Sequence, residues 1–213
     1  MAQRLAIDLS GEMAGLECRP APHSVSLMNS SEDLIRRART GDQEAFRLIF
    51  ERYARPVLSF ITDLVGQRDL AEELLQETFV RAYKKLQSVR DDTKLSSWLF
   101  GIGRNVAREA LRARRKENRN CLDSDFSNEG IVDPAQISPA QDLLNKEMTA
   151  AMQSALALLE EDWRTIFVLK ILQQCSYQEI ADITGFSVPK IKTDLHRARL
   201  QMRRKMRPFL EVD

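Results

Sequence analysis

Cysteine, histidine and strand-forming runs are all scarce in this chain of 213 residues. The three cysteines, Cys18, Cys121 and Cys175, stand far apart with no CxxC pair, so neither a disulfide framework nor a zinc site is indicated. The two histidines, His23 and His196, have no nucleophile motif around either, which speaks against a hydrolase or a transferase. No cofactor, no metal and no catalytic residue is expected. No apolar run approaches the roughly 20 residues needed to span a bilayer. Arg4, Asp8 and Glu12 interrupt the apolar core that a signal peptide would need, so no membrane insertion is expected and a reducing cytoplasm is the simplest location. Alternating Val, Ile and Thr runs bounded by turn residues are nearly absent, which excludes a predominantly β fold.

What is present is helical. Apolar residues make up 43% of the chain and recur at helical spacing, enough for two small all-α domains. Formal charge is only +1, from 32 basic and 31 acidic residues. The signs are nevertheless segregated: cations concentrate at Arg104 to Lys116 and at Lys190 to Arg207, while Glu117 to Glu147 is mostly acidic. Such segregation puts positive faces on a neutral molecule and suits DNA binding by a protein carried on something larger.

Periodicity divides the chain. Residues 1–29 hold Gly11, Gly15, Pro20 and Pro22 without a sustained period and read as a mobile extension. A first domain spans 30–117. Ser30 with Asp33 resembles a capping box, and Gly41 followed by Asp42 reads as a helix stop and a fresh N-cap. The next helix lines up Phe46, Ile49, Phe50 and Tyr53, meets Pro56 with an expected kink, and resumes through Val57, Phe60, Ile61 and Leu64 to Gly66. A third helix from Asp69 buries Ala71, Leu75, Thr78, Ala82 and Leu86 and turns Asp69, Glu72, Glu73 and Glu77 outward. A fourth, from about Ser96 to Lys116, is apolar through Trp98, Leu99, Ile102 and Val106 and basic toward its end. Residues 118–140, with Gly130, Pro134 and Pro139, have the composition of a flexible linker, and a second helical domain fills 141–213.

Within that second domain, residues 177–199 read as a helix-turn-helix. Ile180, Ala181 and Ile183 bury the first helix, Gly185 supplies the positive φ that ends it, and Ser187 caps the next, whose first turn tolerates Pro189. Ile191 and Leu195 hold the second helix to the core. Lys190, Lys192, Thr193, His196 and Arg197 are left to face a groove.

Two further segments narrow the reading. Leu70-Ala-Glu-Glu-Leu-Leu-Gln-Glu-Thr-Phe-Val-Arg-Ala-Tyr83 is similar to the polymerase-binding segment of sigma-70 superfamily region 2. Ser97-Trp-Leu-Phe-Gly-Ile-Gly-Arg-Asn-Val-Ala107 resembles the promoter-melting segment that follows it. With a short linker in place of a third domain, the chain resembles the extracytoplasmic-function (ECF) group of RNA polymerase sigma factors. That resemblance implies a region 2 helical bundle at 30–117 for core binding, melting and the −10 element. It implies a region 4 helix-turn-helix domain at 141–213 for the −35 element.

The implied partners are core RNA polymerase, through its large-subunit clamp helices and its flap, promoter DNA and an anti-sigma factor, in a stress or envelope response. The implied core-binding residues are Asp69, Glu72, Glu73, Gln76 and Phe79. Lys94, Ser96, Arg104, Asn105, Arg108, Arg112 and Arg115 are assigned to melting and the −10 element, and Ser187, Lys190, Lys192, Thr193, His196 and Arg197 to the −35 element. Two positions depart from the family pattern: Leu159 replaces a common proline before Glu160, loosening the expected turn, and Asp194 stands where a cation is frequent. Asp194 either accepts from a cytosine amino group or orients Arg197. The alternative function is that of a stand-alone helix-turn-helix regulator that uses its first domain for dimerisation or sensing.

Overall fold

The computed structural model of the protein describes residues 31–89, 94–120 and 139–210. Eight α-helices carry the described residues, with no strand among them. The first four are α1 (Ser31–Arg39), α2 (Gln43–Val65), α3 (Arg68–Lys85) and α4 (Leu95–Asn120); the last four are α5 (Pro139–Ala157), α6 (Glu161–Phe167), α7 (Tyr177–Thr184) and α8 (Val188–Leu210). The N-terminal extension, residues 121–138 of the expected linker and residues 90–93 lie outside the described residues. At the linker's edges, residues 118–120 continue α4 and Pro139 opens α5.

Local signals set the helix ends. Asp42 has extended backbone, and its side chain accepts from the backbone N–H groups of Glu44 and Ala45, closing two orphan donors at the start of α2. Arg37 Nε donates to the same carboxylate at 2.8 Å, tying α1 to that cap. Gly66, at φ 77°, stops α2 in the left-handed region. The helix does not end at Pro56: it is one element from Gln43 to Val65, with Val57 fully buried.

Apolar faces then assemble the fold. Ile49, Val57, Phe60 and Ile61 of α2, Ala71, Leu75 and Ala82 of α3, and Leu95, Leu99 and Ala107 of α4 form a core that runs without a gap into Leu156, Ile166, Leu169, Ile180, Ile191 and Leu195 of the C-terminal helices. The two expected domains therefore meet, α4 lying against α7 and α2 against α5. Non-directional burial at about 25 cal/mol per Å² drives such a contact.

Arg164 anchors it. One guanidinium nitrogen donates to the Leu64 carbonyl at 3.0 Å, near the C-terminal end of α2; the other donates to Ala157 at 2.7 Å, the last residue of α5, and to Leu159 at 3.2 Å. A cation between two helix C-termini complements both dipoles and closes carbonyls the helices leave open. Burial holds this guanidinium below its ordinary pKa, with Arg115 pushing the same way, and it remains a cation. The turn around Leu159 is thus held by a side chain, in place of the rigidity a proline would supply.

α6 passes straight into the next turn, its cap residue Val168 still in the right-handed helical region. The chain continues into a wide π turn at Val168–Leu172, closed by Gln173 N–H on the Val168 carbonyl at 3.0 Å and by Cys175 N–H on that of Leu169 at 2.9 Å. Gln174, at φ 58°, turns the chain toward α7.

Replacing Arg164 with Met keeps most of its volume and strips three carbonyls of their donor. The expected loss of stability is roughly 2–4 kcal/mol, since buried acceptors are left unpaired. Urea denaturation at neutral pH measures it, and a loss below about 1 kcal/mol would show that the carbonyls find other partners.

Candidate polymerase and nucleic-acid interfaces

The α3 face comes first in the chain. Asp69, Glu72, Glu73 and Gln76 are all exposed, on the side of α3 away from the core, and Arg68 Nε pairs with Glu72 at 3.0 Å. Phe79 does not join them. It is 4% exposed, because it sits four residues after Leu75 on the buried stripe of α3, and its ring forms the floor under Phe50 at 4.8 Å and Phe46 at 6.4 Å. The apolar groups this face presents are Phe50, 40% exposed, Val80 and Tyr83, 52% exposed. Tyr83 rests on Phe46 at 5.0 Å. The 75/79/82/86 spacing carried that correction, and the α2 contribution was visible only as an aromatic surplus on one helix.

The residues expected to act on and just before α4 split into two groups. Asn105 and Arg112 face outward, and Ser96 is half-buried. The others meet the C-terminal helices. Arg104 is 7% exposed, with its guanidinium 5.4 Å from the Phe186 ring and 3.8 Å from Asp162. Arg108 forms an ion pair with Glu161 and lies 4.0 Å from Asp162, and Arg115 reaches Glu161 at 3.8 Å. Lys94 pairs with Asp182 of α7 at 3.0 Å. Burial, and then repulsion from Arg108, holds the Arg104 pKa below its ordinary value against the pull of Asp162 and Glu161.

The helix-turn-helix is built from local rules. A reciprocal capping box opens α7: Ser176 Oγ accepts from Glu179 N–H at 3.2 Å, and Ser176 N–H donates to the Glu179 carboxylate at 2.7 Å. The Ser176-x-x-Glu179 spacing is the local sequence signal for this box. Gly185, at φ 75°, closes the helix with its N–H on the Ala181 carbonyl at 2.8 Å. α8 starts directly after Ser187, whose carbonyl accepts from Ile191 N–H at 3.0 Å.

Ser187, just before α8, and Lys190, Lys192, Thr193, His196 and Arg197 along its first turns are all exposed. Thr193 donates back to the Pro189 carbonyl at 3.1 Å, and Lys192 lies 5.4 Å from the Tyr177 ring. Asp194 is 6% exposed and is not a groove-facing group. It accepts from Lys190 Nζ at 2.6 Å and stands 3.9 Å from Arg197, so it orients its neighbours. Burial lowers the Lys190 pKa, but Asp194 and Asp162, 3.5 Å away, outweigh it and raise the ammonium above its ordinary range.

Residues 49–117 match the Sigma-70 region 2 model and residues 149–202 the Sigma-70 region 4 model. The ECF sigma factor SigW of Bacillus subtilis is 30% identical over 179 residues, which cover 81% of this chain and 95% of that protein. The ECF sigma-E factor of Escherichia coli is 30% identical over 182 residues, 83% of this chain and 94% of its own. The chain belongs to the ECF sigma-factor family. It is an alternative sigma factor, and the region 2 match removes the stand-alone regulator from contention. Sigma factor RpoE of Bartonella quintana, solved with the anti-sigma factor NepR, superposes with a TM-score of 0.62 at 28% identity over 79% of this chain and 98% of that one. CnrH, solved with the cytosolic domain of CnrY, gives 0.59 at 22% identity over 86% and 98%, a likeness of fold. Among the described residues of this sigma factor no helix is long and apolar enough to cross a membrane.

Ser176→Ala should lower stability by about 1 kcal/mol through loss of the cap. Gly185→Ala should cost about 1–2 kcal/mol because a Cβ is forced into the left-handed region, although nothing lies within 4 Å of it. Both are read from denaturation midpoints; a neutral Gly185→Ala would mean that the α7–α8 turn adjusts without strain.

Proposed function

We propose that this sigma factor divides its work among three surfaces of two domains, residues 30–117 and 141–213. Core RNA polymerase is held by α3 through Asp69, Glu72, Glu73 and Gln76, with Phe50, Val80 and Tyr83 as the apolar part of the same contact. An exposed aromatic among charges is a favourable anchor for a protein partner. This face carries the reading furthest, because acidic groups on one side of a helix and large apolar side chains beside them are otherwise without a use.

Asn105 and Arg112, joined by Arg104, Arg108, Arg115, Lys94 and Ser96 when these are accessible, bind the melted −10 strand. Unpaired bases offer edges and faces, and phosphates offer a salt-dependent contact. Strand opening then follows from preferential binding of the unpaired state, with no hydrolysis by the sigma factor, which acts as an initiation factor and not as a catalyst. Lys190, Lys192, Thr193, His196 and Arg197 read the −35 duplex, with Asp194 setting the direction of two of them. Two weak readers on one chain gain affinity by effective concentration once polymerase fixes their spacing. The setting is the cytoplasm, under an anti-sigma factor, as in the B. quintana complex.

The test is transcription in vitro with purified core polymerase on genomic fragments, which should yield defined start sites; failure to direct any initiation would sink the assignment. Replacing Glu73 and Gln76 together with lysine should abolish core association in a pull-down while helicity is retained. In a randomised-promoter selection, Arg197→Ala or Lys190→Ala should change the preferred upstream element. A lost bidentate base contact costs about 1–3 kcal/mol at one base pair, whereas Arg204→Ala should only lower overall yield. Unchanged preference in both of the first two variants would overturn the account of α8.

A further inference from the structure

The acidic pair at the start of α6 sits among cations that belong to both DNA-reading helices. Glu161 pairs with Arg108 and lies 3.8 Å from Arg115; Asp162 lies 3.8 Å from Arg104, 4.0 Å from Arg108 and 3.5 Å from Lys190. Three of these four cations come from α4 and one from α8. Phe186 adds a ring surface that Arg104 and Lys190 share, at 5.4 and 3.9 Å. Lys94 and Asp182 make a further bridge from the start of α4 to α7, at 3.0 Å.

Two acids in the first turn of a helix are favoured by its dipole alone. The dipole does not require that cations from two other helices converge on them. Nor is this a surface arrangement that solvent screens freely: both carboxylates are about three-quarters buried, with side-chain exposures of 21% for Glu161 and 26% for Asp162, and the Arg104 side chain is 9% exposed. A carboxylate beside a guanidinium occupies the site a DNA phosphate would take, with the same charge and the same acceptor geometry.

We propose that Glu161 and Asp162 form an electrostatic latch that keeps the free sigma factor closed, standing in for DNA phosphate on the α4 arginines and on Lys190. The proposal rests on the sigma-factor reading above and concerns the regulation of the same surfaces. In the closed state Arg104 is shielded from any strand, Arg108 and Arg115 are engaged, and Lys190 is tied to the base of its own domain. Opening releases Arg104, Arg108 and Arg115 of α4 together, while Lys190 keeps Asp162 and Asp194 of its own domain. Polyanions and salt both compete with the latch, the first by replacing the carboxylates and the second by screening them.

The experiment uses the full chain with Glu161→Gln and Asp162→Asn combined. The comparison variant carries Glu44→Gln and Glu51→Gln, an equal loss of negative charge on the exposed side of α2, where both acids pair with Arg47. Binding to a fluorescein-labelled mixed-sequence duplex is followed by anisotropy, and the radius of gyration by solution scattering at the same ionic strength. The latch variant should bind the duplex about tenfold more tightly than the comparison variant, since apparent affinity scales with the open fraction, and its radius of gyration should rise. Equal affinity in the two variants overturns the latch. Tighter binding without expansion overturns it too, because lost negative charge would then account for the gain. Core polymerase pull-down with the unaltered chain separates the two levels: failure there defeats the sigma-factor reading, whereas normal core binding beside an unchanged DNA affinity defeats the latch alone.

Discussion

The buried guanidinium of Arg164 determines how everything else is arranged. Its three carbonyl acceptors belong to the last turn of α2, the end of α5 and the turn before α6, so one side chain joins the N-terminal bundle to the C-terminal one. A cation is costly to bury, and that cost is met only where several acceptors with negative dipole character converge. The requirement is directional, unlike the apolar contact around it. It therefore sets the orientation in which α6 presents its first turn, and with it the position of Glu161 and Asp162 against α4.

From that placement follows the electrostatic character of the molecule. Net charge is +1, yet the chain carries two basic helices and an acidic helix face. Much of the α4 charge is neutralised internally by the C-terminal domain, leaving Asn105 and Arg112 outward, while the acids of α3 stay in solvent. The acidic face of α3 is thus accessible in the same state in which most of the expected α4 cations are covered. With the roles proposed above for α3 and α4, this ordering of accessibility is physically sensible: the protein contact would be ready first, and phosphate contacts that ignore sequence would be suppressed.

Much of this was legible in the residues. The four N-terminal helices and the helix-turn-helix pair followed from period, from Gly66 and Gly185 as stops, and from Asp42 as a cap, because those signals act within one turn of the chain, whereas the division between α5 and α6 was not read. The acidic α3 face was legible for the same reason. Phe79 was misplaced because a motif assigned it a partner while its own spacing from Leu75 and Ala82 assigned it to the core, and packing decided. Asp194 was legible only as one of two alternatives, a base-reading group or a side chain that orients Arg197, and burial beside Lys190 and Arg197 decided for the second. The π turn at Val168–Leu172 has no sequence signal, since it arises from fitting α6 to α7 over a shared core.

By itself, then, the amino-acid sequence determined the class of fold, the family and the existence of three chemical surfaces, since each depends on residues within a few turns of one another. The partners those surfaces have within the free protein were settled only by tertiary structure. Arg104 and Asp162 are 58 positions apart, and Arg164 and Leu64 100 apart. No local pattern relates them, because these partners meet only when α4 packs against α7 and α2 against α5, and that packing joins segments far apart in sequence.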